Sequence, residues 1–461
     1  MENKYLNLVD GWTIKGTQEI PRLFNINNGK IIKLNDEVYE YIKLCDGAHT
    51  LKDISIVLNE KIEECEDLTT KFINEDIIKL TDNQNFKKVD IKLGPKEPWL
   101  KEVHLDITNN CNLRCKHCFW GQNLKVEENM CFKKWAKALE DFSNFGVGNI
   151  VISGGESLTS GDVCCFVEKI FELNMHFAAM FTNGTIWNEK IEHILDLVNN
   201  HNSNTNFYIS LDGRNAEQND FIRGMGNFDK TINFIKNIIA FRKKNNSRYK
   251  VAINSLIYKK NYKNLVEWFK FANELGVDKW RFTAGRMVGN LEKNKDSIKI
   301  SLKDCIDEYK NLIHFVSEHP EYETEVNIEN FFTTQALKTK TMYIFDNDLK
   351  ICDYKQNAIS VNPKGNVQFC TSWQSKLYGN VFDTNIADIW YSDELRKLKD
   401  MKIGQITACQ DCKYLKYCGG GCRLECKDVY SKDENVCQNF ELFDNEIVPI
   451  LKSLNIQFKL D

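Results

Sequence analysis

Cys111, Cys115 and Cys118 stand in the spacing C-x3-C-x2-C, which can hold three corners of a [4Fe-4S] cube and leave the fourth iron without a protein ligand. Iron-sulfur cubes usually take four thiolates. A site one ligand short keeps a position open for a substrate or cofactor, as catalytic metal sites do. The loop follows an apolar run, Val103 to Ile107, and the polar turn Thr108, Asn109, Asn110, so it is expected just past a strand end. A zinc knuckle or three buried thiols is the competing reading of so short a motif.

A second set is longer and more specific. Cys352 is followed by Gly365 and Cys370, then by Cys409, Cys412, Cys418 and Cys422 in the spacing C-x2-C-x5-C-x3-C, and finally by Cys437. Cys426 lies four residues past Cys422. A zinc ribbon would account for the C-x2-C pair alone but cannot easily use the others. The chain has 17 cysteines, too many to explain as disulfides in a protein with no secretion signal, since a reducing compartment keeps thiols free. Six others, Cys45, Cys65, Cys131, Cys164, Cys165 and Cys305, are scattered through amphipathic stretches, where cysteine serves as a small buried apolar residue.

The first motif resembles that of the radical S-adenosylmethionine (radical SAM) superfamily, and the second resembles the SPASM-domain signature of its peptide maturases. The resemblance implies that Cys111, Cys115 and Cys118 hold a cluster whose open iron chelates the methionine part of S-adenosyl-L-methionine. Gly154, Gly155 and Glu156 are similar to the family's GGE(P) motif, with Ser157 where proline is usual; glycines let the backbone approach a ligand and the carboxylate suits an ammonium. Ser210 and Asp212 offer groups to ribose or the methionine carboxylate, or else cap the following turn. Arg223 resembles the arginine that pairs with that carboxylate, and His117 stands where an aromatic residue often lies near adenine. Asn254, Arg281 and Thr283 face the same mouth if the strand register is right. In the SPASM pattern Cys409, Cys412, Cys418 and Cys437 hold one auxiliary [4Fe-4S] cluster, while Cys352, Cys370 and Cys422 hold three irons of another. Its fourth ligand is Cys426 or a substrate thiolate. Three [4Fe-4S] clusters and an electron donor such as flavodoxin or ferredoxin are implied.

These residues need a scaffold. From Val103 to Thr283, strand candidates (103–108, 149–153, 176–182, 206–212, 250–257, 279–283) alternate with helical patterns (132–145, 163–173, 189–198, 228–244, 265–275). Such alternation predicts an α/β fold with a parallel sheet and right-handed crossovers. It fits the superfamily's partial (β/α)6 TIM-like barrel, whose chemistry gathers at the C-terminal strand ends. Upstream, strand-like stretches at 6–14, 22–25 and 30–34 precede three helical patterns: 38–45, 51–61 capped by Thr50, and 68–80 opened by Asp67. This winged-helix-like order resembles the RiPP recognition element, in which a leader peptide adds a strand to a sheet edge against the third helix. The expected domains are 1–92 for leader recognition, 93–290 for the barrel, 291–345 as a helical bridge including 301–319, and 346–461 for the SPASM domain.

At 461 residues the chain suggests two to four domains. A net charge of -4 with 27% charged residues supplies no broad basic field, so nucleic acid is not expected as a partner, and the acidic Glu63, Glu64, Glu66, Asp67, Glu75 and Asp76 count against a DNA-binding winged helix. The first residues lack the basic flank and apolar stretch of a signal peptide, and no run approaches the roughly 18 apolar residues of a membrane span. A soluble cytoplasmic enzyme is expected. The resemblance implies that a 5′-deoxyadenosyl radical takes a hydrogen atom from a precursor peptide, and the combination of parts favours a Cys sulfur-to-carbon thioether within that peptide. Carbon-carbon or carbon-oxygen crosslinking is the near alternative. Formylglycine formation in a sulfatase is another, although that branch carries aspartate where Thr371 stands. A non-catalytic iron-sulfur regulator is disfavoured by the SAM-binding residues.

Overall fold

The computed structural model describes residues 1–124, 131–283, 285–329, 331–352 and 356–460. The first strand-like stretch is broken by Gly11 at φ +96°, so β1 (Tyr5–Leu8) and β2 (Trp12–Gly16) fall in different sheets. β2, β3 (Pro21–Asn25) and β4 (Ile31–Lys33) form an antiparallel sheet in that order. α1 (Asp36–Lys43), capped by Asn35, leads into β5 (Asp46–Thr50) and α2 (Leu51–Leu58), whose start is fixed by a reciprocal Thr50–Asp53 capping box. α3 covers Ile62–Asn74, earlier than the expected 68–80, and β6 (Ile78–Thr81) follows. Residues 78–80 run buried, exposed, half-buried, the two-residue period of a strand. β5, β1 and β6 make a second small sheet. Leu6, Ile14, Leu23, Tyr41, Ile54, Cys65 and Phe72 belong to a core of this segment's own.

The barrel strands are β7 (Glu102–Asp106), β8 (Asn149–Ser153), β9 (His176–Thr182), β10 (Asn206–Ser210), β11 (Lys250–Leu256) and β12 (Lys279–Thr283). They lie side by side in chain order, all parallel. Crossover helices α4 (Phe132–Asn144), α5 (Val163–Glu172), α6 (Glu189–Asn200), α7 (Ala216–Arg223) with α8 (Asn227–Asn245), and α9 (Leu265–Glu274) give the expected partial barrel. Past β12 come α10 (Gly289–Lys293), α11 (Lys295–Ile298) and α12 (Leu302–Glu318), the last capped by Ser301.

The sheet does not stop at six strands, which sequence reading missed. β13 (Glu325–Ile328) and β14 (Phe332–Thr333) extend it beyond β12. After α13 (Thr334–Thr339) and β15 (Thr341–Ile344), β16 (Ala358–Val361) pairs in parallel with β7, and β17 (Val367–Gln368) closes that side. The tail adds α14 (Ile386–Trp390), α15 (Asp393–Lys399), α16 (Leu415–Cys418), α17 (Glu434–Leu442), α18 (Val448–Ser453) and β18 (Gln457–Leu460), which pairs with β15. One apolar core runs from Leu100 through to Ile456. Among the described residues no helix is long and apolar enough to cross a membrane.

Candidate active site

The Cys111–Cys118 loop sits past the C-terminal end of β7, held from three sides. Backbone N–H groups of Gly155 and Glu156 donate to the carbonyls of Thr108 and Asn110 at 2.7 and 2.8 Å. A Cβ on Gly154 would lie 2.4 Å from the Thr108 carbonyl, and one on Gly155 would lie 2.2 Å from that of Asn110. The two glycines thus leave room for the cysteine loop's own stem. On the second side the Lys116 N–H donates to Ile222 at the end of α7, at 3.0 Å. On the third, the Asn290 backbone N–H donates to the Cys118 carbonyl at 2.9 Å and its side chain to that of Cys115 at 3.1 Å.

Glu156 is buried, and its carboxylate accepts from Thr182 Oγ1 (2.8 Å), Asn183 N–H (2.7 Å) and Leu158 N–H (3.2 Å). It ties β8 to the end of β9 while burial pushes its pKa upward. Asn183 also donates to Asn112 at 2.9 Å, inside the cysteine loop. Thr182, Asn183 and Asn290 were not singled out by sequence. Only the run Thr182, Asn183, Gly184 at a strand end could have signalled the first two.

Asp212 and Arg223, both expected toward the cofactor, form a buried ion pair at 2.7 Å. Burial opposes the Arg223 charge, but the fields of Asp212, Cys115 and Cys118 and the hydrogen bond to Asp212 together raise its pKa. His117 Nε2 lies 3.9 Å from the same Asp212 oxygen; burial lowers its pKa to about 4, so the ring is neutral near pH 7. Ser210, Asn254 and Arg281 are register partners on adjacent parallel strands. They therefore share the sheet face turned away from Ile209, Ile253, Trp280 and Phe282 of the core. Thr283, two residues past Arg281, is on that face too. Phe181 and Tyr208 stack there with centroids 4.8 Å apart, a pair that sequence reading overlooked.

The chemistry of the donors fits an iron-sulfur cluster and SAM. Burial pushes the Cys115 thiol up to about 12, with Arg223 pulling the other way, so ligation needs a cation to draw off the proton. Buried His117 Nδ1 has no hydrogen-bond partner among the described residues, as expected of an atom kept for a ligand. No three His, Cys, Asp or Glu side chains among those residues converge on a single metal-ion position, which a cube does not require, because each corner thiolate binds its own iron.

In the tail, Cys409, Cys412, Cys418 and Cys437 line one cavity of about 260 Å³. Gly419, Gly420 and Gly421 all have positive φ, +56°, +85° and +74°, a path between Cys418 and Cys422 that side chains would strain. Buried Asp433, also missed, accepts from the Cys422 N–H at 2.8 Å, and its carbonyl accepts from the Cys437 N–H at 3.0 Å. Cys422 feels the negative field of Cys370 and the positive field of Arg286. The Cys426 thiol donates to the Cys422 carbonyl at 3.3 Å and lies within the fields of Arg423, Asp433 and Cys409. Cys352 is exposed, with φ +52°. Arg286, past β12, bridges Glu329 (3.1 Å) and Glu425 (3.5 Å), joining barrel to tail.

Residues 105–272 match the radical SAM superfamily, and residues 352–413 match the iron-sulfur cluster-binding SPASM domain. The AdoMet-dependent heme synthase of Methanosarcina barkeri is 25% identical over 353 residues, 72% of this chain and 94% of that protein. The antilisterial bacteriocin subtilosin biosynthesis protein AlbA of Bacillus subtilis is 22% identical over 421 residues, 86% of this chain and 85% of AlbA. Among solved structures, Streptococcus suis SuiB bound to precursor peptide SuiA superposes with a TM-score of 0.67 at 17% identity, covering 94% of this chain and all of SuiB.

Proposed function

Because this chain is a radical SAM enzyme carrying a SPASM domain, we propose that it modifies a ribosomally made precursor peptide in the cytoplasm, joining a cysteine sulfur to a carbon of the same peptide. The bacteriocin-forming role named for AlbA and the peptide bound by SuiB support this reading. Cys111, Cys115 and Cys118 would hold the cluster that binds SAM, with Ser210, Asp212, Arg223 and His117 toward the cofactor. Gly154, Gly155 and Glu156 hold the cysteine loop in place. When bound, cluster and SAM supply a carbon radical able to take a hydrogen atom from an unactivated carbon. Cys409, Cys412, Cys418 and Cys437 would hold a second cluster and Cys352, Cys370 and Cys422 a third, with Cys426 or the peptide thiolate as its fourth ligand. Such a thiolate would be deprotonated and fixed near the site. Ala at Cys111, Cys115 and Cys118 together should then remove about a third of the iron and all SAM cleavage.

The observation that carries the peptide reading is the edge strand β4. Among the described residues it pairs with β3 alone, and Lys30 bonds Glu75 at 2.6 Å, setting β4 beside the end of α3. Leu34 N–H donates to Pro21, and Lys30 accepts from Asn25. Backbone groups at 30, 32 and 34 thus turn toward β3, and those of Ile31 and Lys33 turn outward, as an added leader strand needs. Lys33→Pro removes one outward N–H without breaking the β3 ladder. It should weaken processing of a full-length precursor by about tenfold or more while peptide-independent SAM cleavage persists. Undiminished processing would refute leader binding at β4.

A further inference from the structure

We propose that Arg281, with Asn254 and Asn327 on either side of it, binds a carboxylate of the substrate peptide in the barrel mouth, so that this enzyme selects a core segment carrying an acid close to the carbon it attacks; this rests on the peptide reading above. Ser210, Asn254, Arg281 and Asn327 are successive register partners across β10, β11, β12 and β13. They therefore form one row on the inner face of the sheet. All four are half-buried, and none of their side chains makes a hydrogen bond or an ion pair among the described residues.

Four adjacent polar side chains, part-buried and without partners, are not what a strand face needs for its own stability. The charges around the row are matched elsewhere. One layer deeper, Lys279 pairs with Glu325 at 3.2 Å; at the strand ends Arg286 holds Glu329 at 3.1 Å and Arg223 holds Asp212 at 2.7 Å. These carboxylates are engaged, and Arg281 keeps a free guanidinium. A planar fork can give a carboxylate two parallel N–H bonds, and the amides beside it can add others or meet the peptide backbone. Neighbouring strands lie about 4.8 Å apart, so the row from Asn254 to Asn327 spans about 10 Å, the length of about three residues of extended chain. Phe181 and Tyr208, which stack with centroids 4.8 Å apart, stand one layer deeper on the same face. Their rings give the site an apolar floor, which strengthens a charge pair formed above it.

The cofactor's own carboxylate belongs at the other side of the sheet. β7 leads into the loop whose open iron would chelate it, and β12 stands five strands away from β7. Ser210, nearest the cofactor end of the row, is left to that role; Asn254, Arg281 and Asn327 are left to the peptide.

The test uses reconstituted holoenzyme with SAM and three synthetic probes: acetyl-Gly-Cys-Gly-Gly-Asp-Gly-amide, its Asn twin, and that Asn twin with a free C-terminal carboxylate. Saturation-transfer NMR, observed on the peptide, measures the affinities. The wild type should bind the Asp peptide about tenfold more tightly than the Asn amide, and Arg281→Gln should abolish that preference. Asn327→Asp keeps the guanidinium but sets an internal carboxylate beside it, and should abolish the preference too. Tighter binding of the third peptide would support the same site with a chain end as its ligand. Equal affinity of the wild type for all three, or a preference that survives in Arg281→Gln, would overturn the site and leave the peptide reading standing. If Arg281→Gln instead weakens SAM binding about tenfold and leaves the peptide preference intact, the guanidinium serves the cofactor and the proposal falls. Failure of all three peptides to bind the wild type would remove the peptide reading, and the site with it.

Discussion

Gly155 has a packing role that its motif does not signal. A Gly-Gly-Glu turn at a strand end suggests backbone approach to a ligand, and the Asn110 carbonyl also occupies the space a Cβ would need, 2.2 Å away. Gly155→Ala must therefore push the cysteine loop outward, at about 1–3 kcal/mol. Iron content should drop by one cluster and SAM cleavage at least about tenfold; Gly161→Ala, with nothing within 4 Å, should change neither. The cysteines were legible because spacing is local. Asn290 was not, since its partners lie far along the chain, Cys115 being 175 residues away; Asp433 meets Cys422 and Cys437 close in sequence, but a lone aspartate among cysteines carries no spacing signal. Lys15 was equally silent: it is fully buried and its ammonium has no hydrogen-bond partner among the described residues. Burial lowers its pKa to about 8, with Asp90 acting in the opposite direction. Lys15→Met keeps the stem and removes the desolvated charge, and should stabilise by about 1–3 kcal/mol, seen as a higher thermal midpoint. A lower midpoint would mean that the charge is compensated.

At the scale of elements, the barrel was readable because each strand and helix repeats its period for long enough, and polar caps such as Thr50 and Ser301 mark the starts. The N-terminal segment was read less well. Its strands are three to five residues long, too short for period two to stand out, and Asp67 lies inside α3 rather than opening it. How that segment docks on the barrel could not be read at all, and His176 is a sensitive point in it. The ring Nδ1 bonds the Ile26 carbonyl at 2.9 Å, and burial lowers its pKa to about 4, with the Ile26 bond acting in the opposite direction. The folded pKa lies below the unfolded one near 6.5, so the unfolded state binds the proton first as pH falls. Stability is full above about 6.5 and declines toward 4. Opening of this contact should become easier by about 2 kcal/mol between pH 7 and pH 5, measured as hydrogen exchange in β3. His176→Asn should lose that dependence; an equally pH-sensitive variant would assign it to other groups.

At the scale of the whole molecule, the two cysteine sets are joined by a sheet. β16, from the tail, lies in parallel register on β7, with Ala358 opposite Glu102 and Val361 opposite Leu105, and β7 leads straight into the Cys111 loop. Trp390 donates to the Pro98 carbonyl at 2.7 Å, Phe382 packs edge-on against Trp135 of α4 at 4.9 Å, and the buried Lys399 ammonium reaches the Ala358 carbonyl at 2.5 Å. Sequence separates barrel from tail because their motifs are separate, whereas long-range pairing of β16 with β7 leaves no local signal. The physical consequence is that β7 is a central strand only while the tail is present. Removing residues 346–461 would leave Glu102–Asp106, a strand whose last four residues are buried, as an open edge flanked by newly exposed aromatic surface, the condition for strand-to-strand aggregation. The truncated chain should therefore elute as aggregate in size exclusion and bind little iron at Cys111, Cys115 and Cys118, although all three ligands remain. A monomeric truncated protein holding one cluster's worth of iron would mean that the barrel closes without β16 and that the tail contributes only its own clusters.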